Sequence, residues 1–98
     1  MDVRRNSPTF LLWHAEKLSA ENRRSLIIPP GFAHGFQALT DGVELIYFHS
    51  AAYAPEHEAG LDVRDLKLAI SWPLPIAELS PRDQAHPAIE PGFKGVKL

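Results

Sequence analysis

The sequence predicts an all-β fold, a barrel or sandwich, on three observations. Nine prolines and six glycines cut the 98 residues into pieces shorter than typical helices. The pieces between these breaks are apolar and carry β-branched and aromatic residues. The best of them alternates with the period of two that a half-buried strand requires. At 98 residues and 10.9 kDa the chain makes one small domain.

The elements follow in order. Thr9–Trp13 reads as a strand. Ser19-Ala20-Glu21-Asn22 reads as one helical turn. Ser25–Ile28 is short and branched, and Pro29-Pro30-Gly31 ends it. Ala33–Leu39 follows, then a turn at Thr40-Asp41-Gly42, where Asp-Gly is the hairpin signal. Val43–His49 is the clearest strand: Val43, Leu45, Tyr47 and His49 share one face, and Glu44, Ile46 and Phe48 the other. Residues 63–70 show weak 3.6-residue periodicity. Ser80-Pro81-Arg82-Asp83 reads as a helix start, with Ser as N-cap, Pro at the first position and an acid at the third. Pro87 keeps that helix short. The domain boundaries are a β domain over 1–87 and a Pro/Gly-rich tail over 88–98 that wraps the surface or frays.

Composition narrows the function classes. A net charge of −2 provides no basic footprint for nucleic acid or anionic lipid. The absence of cysteine excludes a disulfide scaffold, a zinc ribbon and a thiol nucleophile. No apolar run reaches the roughly 20 residues that span a bilayer. No signal-peptide pattern follows the basic N-terminal residues. The expected location is the cytoplasm.

Several residues have two readings. His34, in Pro29-x-Gly31-x-x-His34, enters a strand among apolar residues. It is either a core histidine satisfied by a backbone carbonyl or an acid, base or ligand facing a cavity. Spacing alone favours the core. Tyr47 is a packing residue or a proton donor, and periodicity alone favours packing. Asp83 is the acid of a capping box with Ser80 or a carboxylate that orients a histidine. Arg82 meets a phosphate or is solvated. His49, Glu56, His57 and Glu58 surround Pro55 without a metal-ligand spacing, and a solvated turn is the simpler account. His14 and His86 have no constellation beside them.

Taken in order, DVRRNSPTF, LSAENRR, IPPGFAHGF, IYFHSAAYAPEHE, ISWPL and LSPRD resemble the C-terminal part of the dTDP-4-dehydrorhamnose 3,5-epimerases. The resemblance runs from about Asp2 to Pro87. It implies a cupin-type jelly-roll barrel, here partial and lacking the family's N-terminal strands, and usually a homodimer. It also implies a reaction without metal or cofactor. A base removes the acidic protons at C3 and C5 of a dTDP-4-keto-6-deoxyhexose, and an acid returns protons to the opposite face.

Residue by residue, the resemblance makes Tyr47 the general acid and Asp83 the partner of the base histidine. It makes His34, Glu58, Arg82 and Tyr53 residues that line or border the sugar-nucleotide site. The family's base histidine lies in an R-G-x-H segment and its enolate-stabilising lysine nearby. No R-G-x-H occurs in these 98 residues, and Asn6 stands where the family has glycine. The implied function is an epimerase-related protein that is weak or inactive alone, completed by a second copy or by a complementing N-terminal half. The alternative is a non-catalytic cupin fragment that binds a sugar nucleotide or a partner. A metal cupin ranks third, because Pro29-x-Gly31-x-x-His34 fits the second cupin motif while the first is absent.

Overall fold

The computed structural model describes residues 1–98 and departs from the expected all-β architecture. Its regular elements are a 3₁₀ turn at Pro55–His57 and one four-residue helix, α1, at Pro81–Gln84. Strand pairing is confined to two one-residue bridges, Asp2 with Phe32 (antiparallel) and Arg4 with Val96 (parallel). There is no sheet and no barrel, so the cupin-type jelly roll implied by the resemblance is not formed by these residues.

The physical reason is the absence of neighbours. Alternation decides which side chains share a face, but a strand also needs a second chain to take its N–H and C=O groups. Val43–His49 makes no backbone–backbone hydrogen bond. Its outer side chains are bare: Ile46 is 82% exposed and Phe48 94%. The Asp41-Gly42 turn forms, with Gly42 at φ +70°, yet its flanks do not pair. Thr9–Trp13 is not a strand either. Phe10 N–H donates to Ser7 O at 3.1 Å and Leu12 N–H to Thr9 O at 2.9 Å, giving two successive turns.

The chain forms two compact units, Met1–Gly35 with Glu90–Leu98, and Phe36–Ile89. In the first, the opening residues lie between two other segments. Val3 N–H donates to Gly31 O at 3.1 Å, while Val3 O accepts from Val96 N–H at 2.7 Å. Met1 and Ala33 exchange bonds at 2.9 Å in both directions. Gly95, at φ +90°, permits this approach, since a Cβ there would stand 2.6 Å from Val3 O.

Asp2 is the hub of this unit and is 1% exposed. Extended backbone puts Asp2 and Arg4 on one side, where Arg4 Nε and Nη2 donate to the carboxylate at 3.0 and 2.8 Å. A turn closed by Ser7 N–H on Arg4 O then brings Ser7 and Thr9 back. Both hydroxyls donate to Asp2 Oδ2 at 2.5 Å. Asn6 takes the left-handed conformation of that turn, φ +62°, which asparagine tolerates better than most residues. These donors, Arg4 first, hold the Asp2 carboxyl far below the usual carboxylate range. Phe10 stacks on Phe93 at 5.9 Å, and Arg4 lies over the Phe32 ring at 4.7 Å.

In the second unit the buried apolar residues are Leu68 and Ile89. Asp65 joins their segments: its Oδ2 accepts from Ile89 N–H at 2.6 Å and its Oδ1 from Lys67 N–H at 2.9 Å. These bonds lower the Asp65 carboxyl below its ordinary value. The periodic stretch 63–70 is a series of turns rather than a helix. Asp65, Leu68 and Ala69 each donate to the residue three before. Asp62 and Asp65 capture the N–H groups two residues on, at 2.9 Å each, which competes with helical bonding. Gln37 clasps Leu74 through both ends of its amide: Nε2 donates to Leu74 O at 3.0 Å, and Oε1 accepts from Leu74 N–H at 3.1 Å.

Candidate active site

The second unit gathers polar residues around one open depression. Tyr53, Pro55, Glu58, Ala59, Gly60, Arg82, His86 and Pro87 line it. Two short elements position them. The 3₁₀ turn Pro55–His57 opens with proline, and Glu58 N–H caps it on Pro55 O at 3.2 Å. On the other side α1 opens with Pro81. Its N-cap Ser80 accepts the Asp83 N–H on Oγ at 3.1 Å, and Gln84 N–H donates to Ser80 O at 2.9 Å. The predicted helix start is therefore present as read.

Across the depression Arg82 Nη2 donates to Glu58 Oε2 at 2.6 Å. This charge-assisted bond ties the two elements together. Asp83 forms only half of a capping box. Ser80 receives its N–H, but the carboxylate turns instead toward the next turn of chain. There its Oδ1 lies 3.5 Å from His86 Nε2. The His86 ring is mostly covered, at 20% exposure, and rests on Gly60. A Cβ at Gly60 would overlap three ring atoms, so glycine is what admits the imidazole.

Four of the residues singled out from sequence, Tyr53, Glu58, Arg82 and Asp83, thus occupy this region, the first three on the lining and Asp83 beside His86. Tyr47 does not line it. Its ring stacks on His49 at 6.0 Å, as extended chain places residues two apart on one side. His34 belongs to the first unit and is exposed, so the expectation of a core histidine is not met there. Sequence reading missed His86. The signal was the Asp83-Gln84-Ala85-His86 spacing, since residues three apart face each other across a helical turn.

Of the surrounding charges, Asp62 is held below its ordinary value, first by hydrogen bonds from Arg64 at 2.8 and 3.1 Å. His86 adds a smaller pull in the same direction. No three His, Asp or Glu side chains converge as a metal site would require. No helix is long and apolar enough to cross a membrane.

The comparisons with known proteins agree with one another. A family model described as dTDP-4-dehydrorhamnose 3,5-epimerase matches residues 1–91. The chain is 49% identical over 79 residues to the dTDP-4-dehydrorhamnose 3,5-epimerase of Pseudomonas aeruginosa, covering 81% of this chain and 44% of that protein. It is 42% identical over 91 residues to the enzyme of that name from Salmonella typhimurium, covering 92% and 50%. It is also 37% identical to a probable dTDP-4-oxo-2,6-dideoxy-D-glucose 3,5-epimerase from Streptomyces antibioticus, covering 98% and 52%. The chain thus spans about half the length of these curated relatives. No solved structure matches. The match over nine-tenths of the chain, together with the agreement of the relatives, makes this chain a member of the dTDP-4-dehydrorhamnose 3,5-epimerase family.

Proposed function

We propose that these residues furnish the acid-bearing part of a dTDP-sugar 3,5-epimerase site. In this reading Tyr47 returns a proton to the sugar carbon. Asp83 orients an imidazole, and Tyr53, Glu58 and Arg82 line or border the sugar nucleotide, a dTDP-4-keto-6-deoxyhexose. The observation that supports it most is the convergence of Tyr53, Glu58 and Arg82 on one depression beside Asp83. They come from segments more than twenty residues apart, and the family match covers all of them.

The exposed surface supports a completing partner. The chain presents 8533 Å² to solvent, whereas a folded monomer of its mass presents about 5,600 Å², and two separate bodies about 6,700 Å². An obligate interface buries about 2,000–5,000 Å² over both partners. Val43–His49 is the exposed apolar stretch that such a partner would cover, whether a second copy or a complementing half. General base catalysis contributes about 10²–10⁴-fold, and the family's R-G-x-H base is not among these residues. Turnover by the chain alone is accordingly expected to be slower than that of a full-length relative by about that factor.

The test uses ¹⁵N-labelled chain titrated with dTDP-4-dehydro-6-deoxy-D-glucose, with deuterium uptake at C3 and C5 followed in D₂O. Amide shifts concentrated at residues 53–60 and 82–87, and uptake reduced at least about 10-fold by Tyr47→Phe, are the expected result. A titration that moves no amide in either segment would refute the reading.

A further inference from the structure

We infer that Arg64, held by Asp62, is the positioning residue that fixes α1 beside the depression, so that Arg82 can turn to a ligand without α1 moving, an inference that rests on the epimerase reading above. Three observations carry it. The Asp62 carboxylate accepts from Arg64 Nε and Nη2 at 2.8 and 3.1 Å, and from the Arg64 N–H at 2.9 Å. The same Nη2 donates to Gln84 O, the last carbonyl of α1, at 3.2 Å. Asp62 N–H donates to Pro87 O at 2.9 Å. The short segment Asp62–Arg64 thus grips the chain at the end of α1 and again just beyond it.

A helix of four residues needs such a grip. Single-turn helices are marginal in water, and the closing carbonyls have no acceptor role within the helix. Two side chains from distant segments bond to α1: Glu58 to Arg82 at 2.6 Å and Arg64 to Gln84 O. They serve different ends. Glu58 and Arg82 line the depression, whereas Arg64 stands outside the lining. A ligand oxygen that takes Arg82 must compete with Glu58 for it, and that tie opens. The Arg64 fork is untouched by the exchange. Guanidinium chemistry suits the task, because Nη2 carries two hydrogens, one for Asp62 and one for the α1 carbonyl. A lysine ammonium offers no such planar fork.

The test uses ¹⁵N-labelled wild type, Arg64→Ala, Arg64→Lys, Asp62→Asn and Arg82→Ala, with urea unfolding of each as the check on folding. Residual dipolar couplings of amides 82–85 against 56–60 report the tilt of α1, and titration with dTDP-4-dehydro-6-deoxy-D-glucose reports affinity. Arg64→Ala and Asp62→Asn should change the couplings and weaken binding about 10-fold. The urea midpoint should hardly move, since the Arg64 side chain is 48% exposed. Arg64→Lys, which keeps the charge without the fork, should match Arg64→Ala. In an Arg82→Ala background Arg64→Ala should add less than about 2-fold, because it acts through α1. A merely structural residue would add its full effect there. Unchanged couplings in Arg64→Ala, wild-type affinity, or equal losses with and without Arg82 would each overturn the inference while wild-type binding left the epimerase reading standing. If wild type binds nothing, the epimerase reading fails and the couplings alone decide: a changed tilt upholds the placement of α1 by Arg64, and an unchanged one overturns it too.

Discussion

Asp2 shows how much structure one buried carboxylate can organise. It accepts hydrogen bonds from the Arg4 side chain and N–H and from two hydroxyls. Its carboxyl is held below the ordinary value, so the folded state binds a proton less readily than the unfolded chain. The resulting stabilisation is complete above the unfolded-state value of about 4. It shrinks as pH falls below that value and disappears when pH reaches the lower folded-state value. Asp2→Asn should therefore lower the stability of the Met1–Gly35 unit at neutral pH and flatten its acid dependence. Each unit holds one tryptophan, Trp13 and Trp72. Trp13 fluorescence in a Trp72→Phe background would follow the first unit in urea at pH 7 and pH 3. A midpoint unchanged by Asp2→Asn at pH 7 would contradict the assignment. Nothing in the spacing of Asp2 marked it beforehand, because its two hydroxyl partners, Ser7 and Thr9, meet it only through the left-handed turn at Asn6.

Among the elements, α1 was legible and Val43–His49 was not, and the difference is one of range. The signals for α1 are local: Ser80, Pro81 and Asp83 act on backbone groups within four residues. Removing the cap should be felt locally too. Ser80→Ala should cost about 0.5–2 kcal/mol of α1 stability, and Ser80→Gly only a few tenths. Cα chemical shifts of 81–84 would read this, with the Asp83 amide shifting most, and equal effects of the two substitutions would argue against capping. A strand, by contrast, is completed from a distance. The alternation from Val43 to His49 correctly sets Tyr47 and His49 on one side, but supplies no neighbour for their backbone. The site was divided in the same way. Glu58 and Arg82 were identified by motif, whereas the seat of His86 depends on Gly60, twenty-six residues away, and no local pattern announces it.

At the scale of the whole molecule, two units with small apolar centres stand beside an accessible surface well above that of a folded chain of this mass. Exposed contiguous apolar surface favours association. Sedimentation velocity at micromolar concentration should show species above the 10.9 kDa of one chain, with 8-anilinonaphthalene-1-sulfonate fluorescence falling as they form. A single sedimenting species of one chain's mass that does not enhance the dye would refute this. The bare segment Val43–His49 has a further consequence. Proteases bind their substrates as extended chain, with backbone groups free to pair with the enzyme's own edge. This segment offers that shape without any unfolding, and with aromatic residues at Tyr47 and Phe48. Chymotrypsin at low dose should nick the chain there first, and any molecule that completes the structure should slow that cut. The rate of one early cleavage would thus serve as a clock for assembly, legible on a gel before any substrate is in hand.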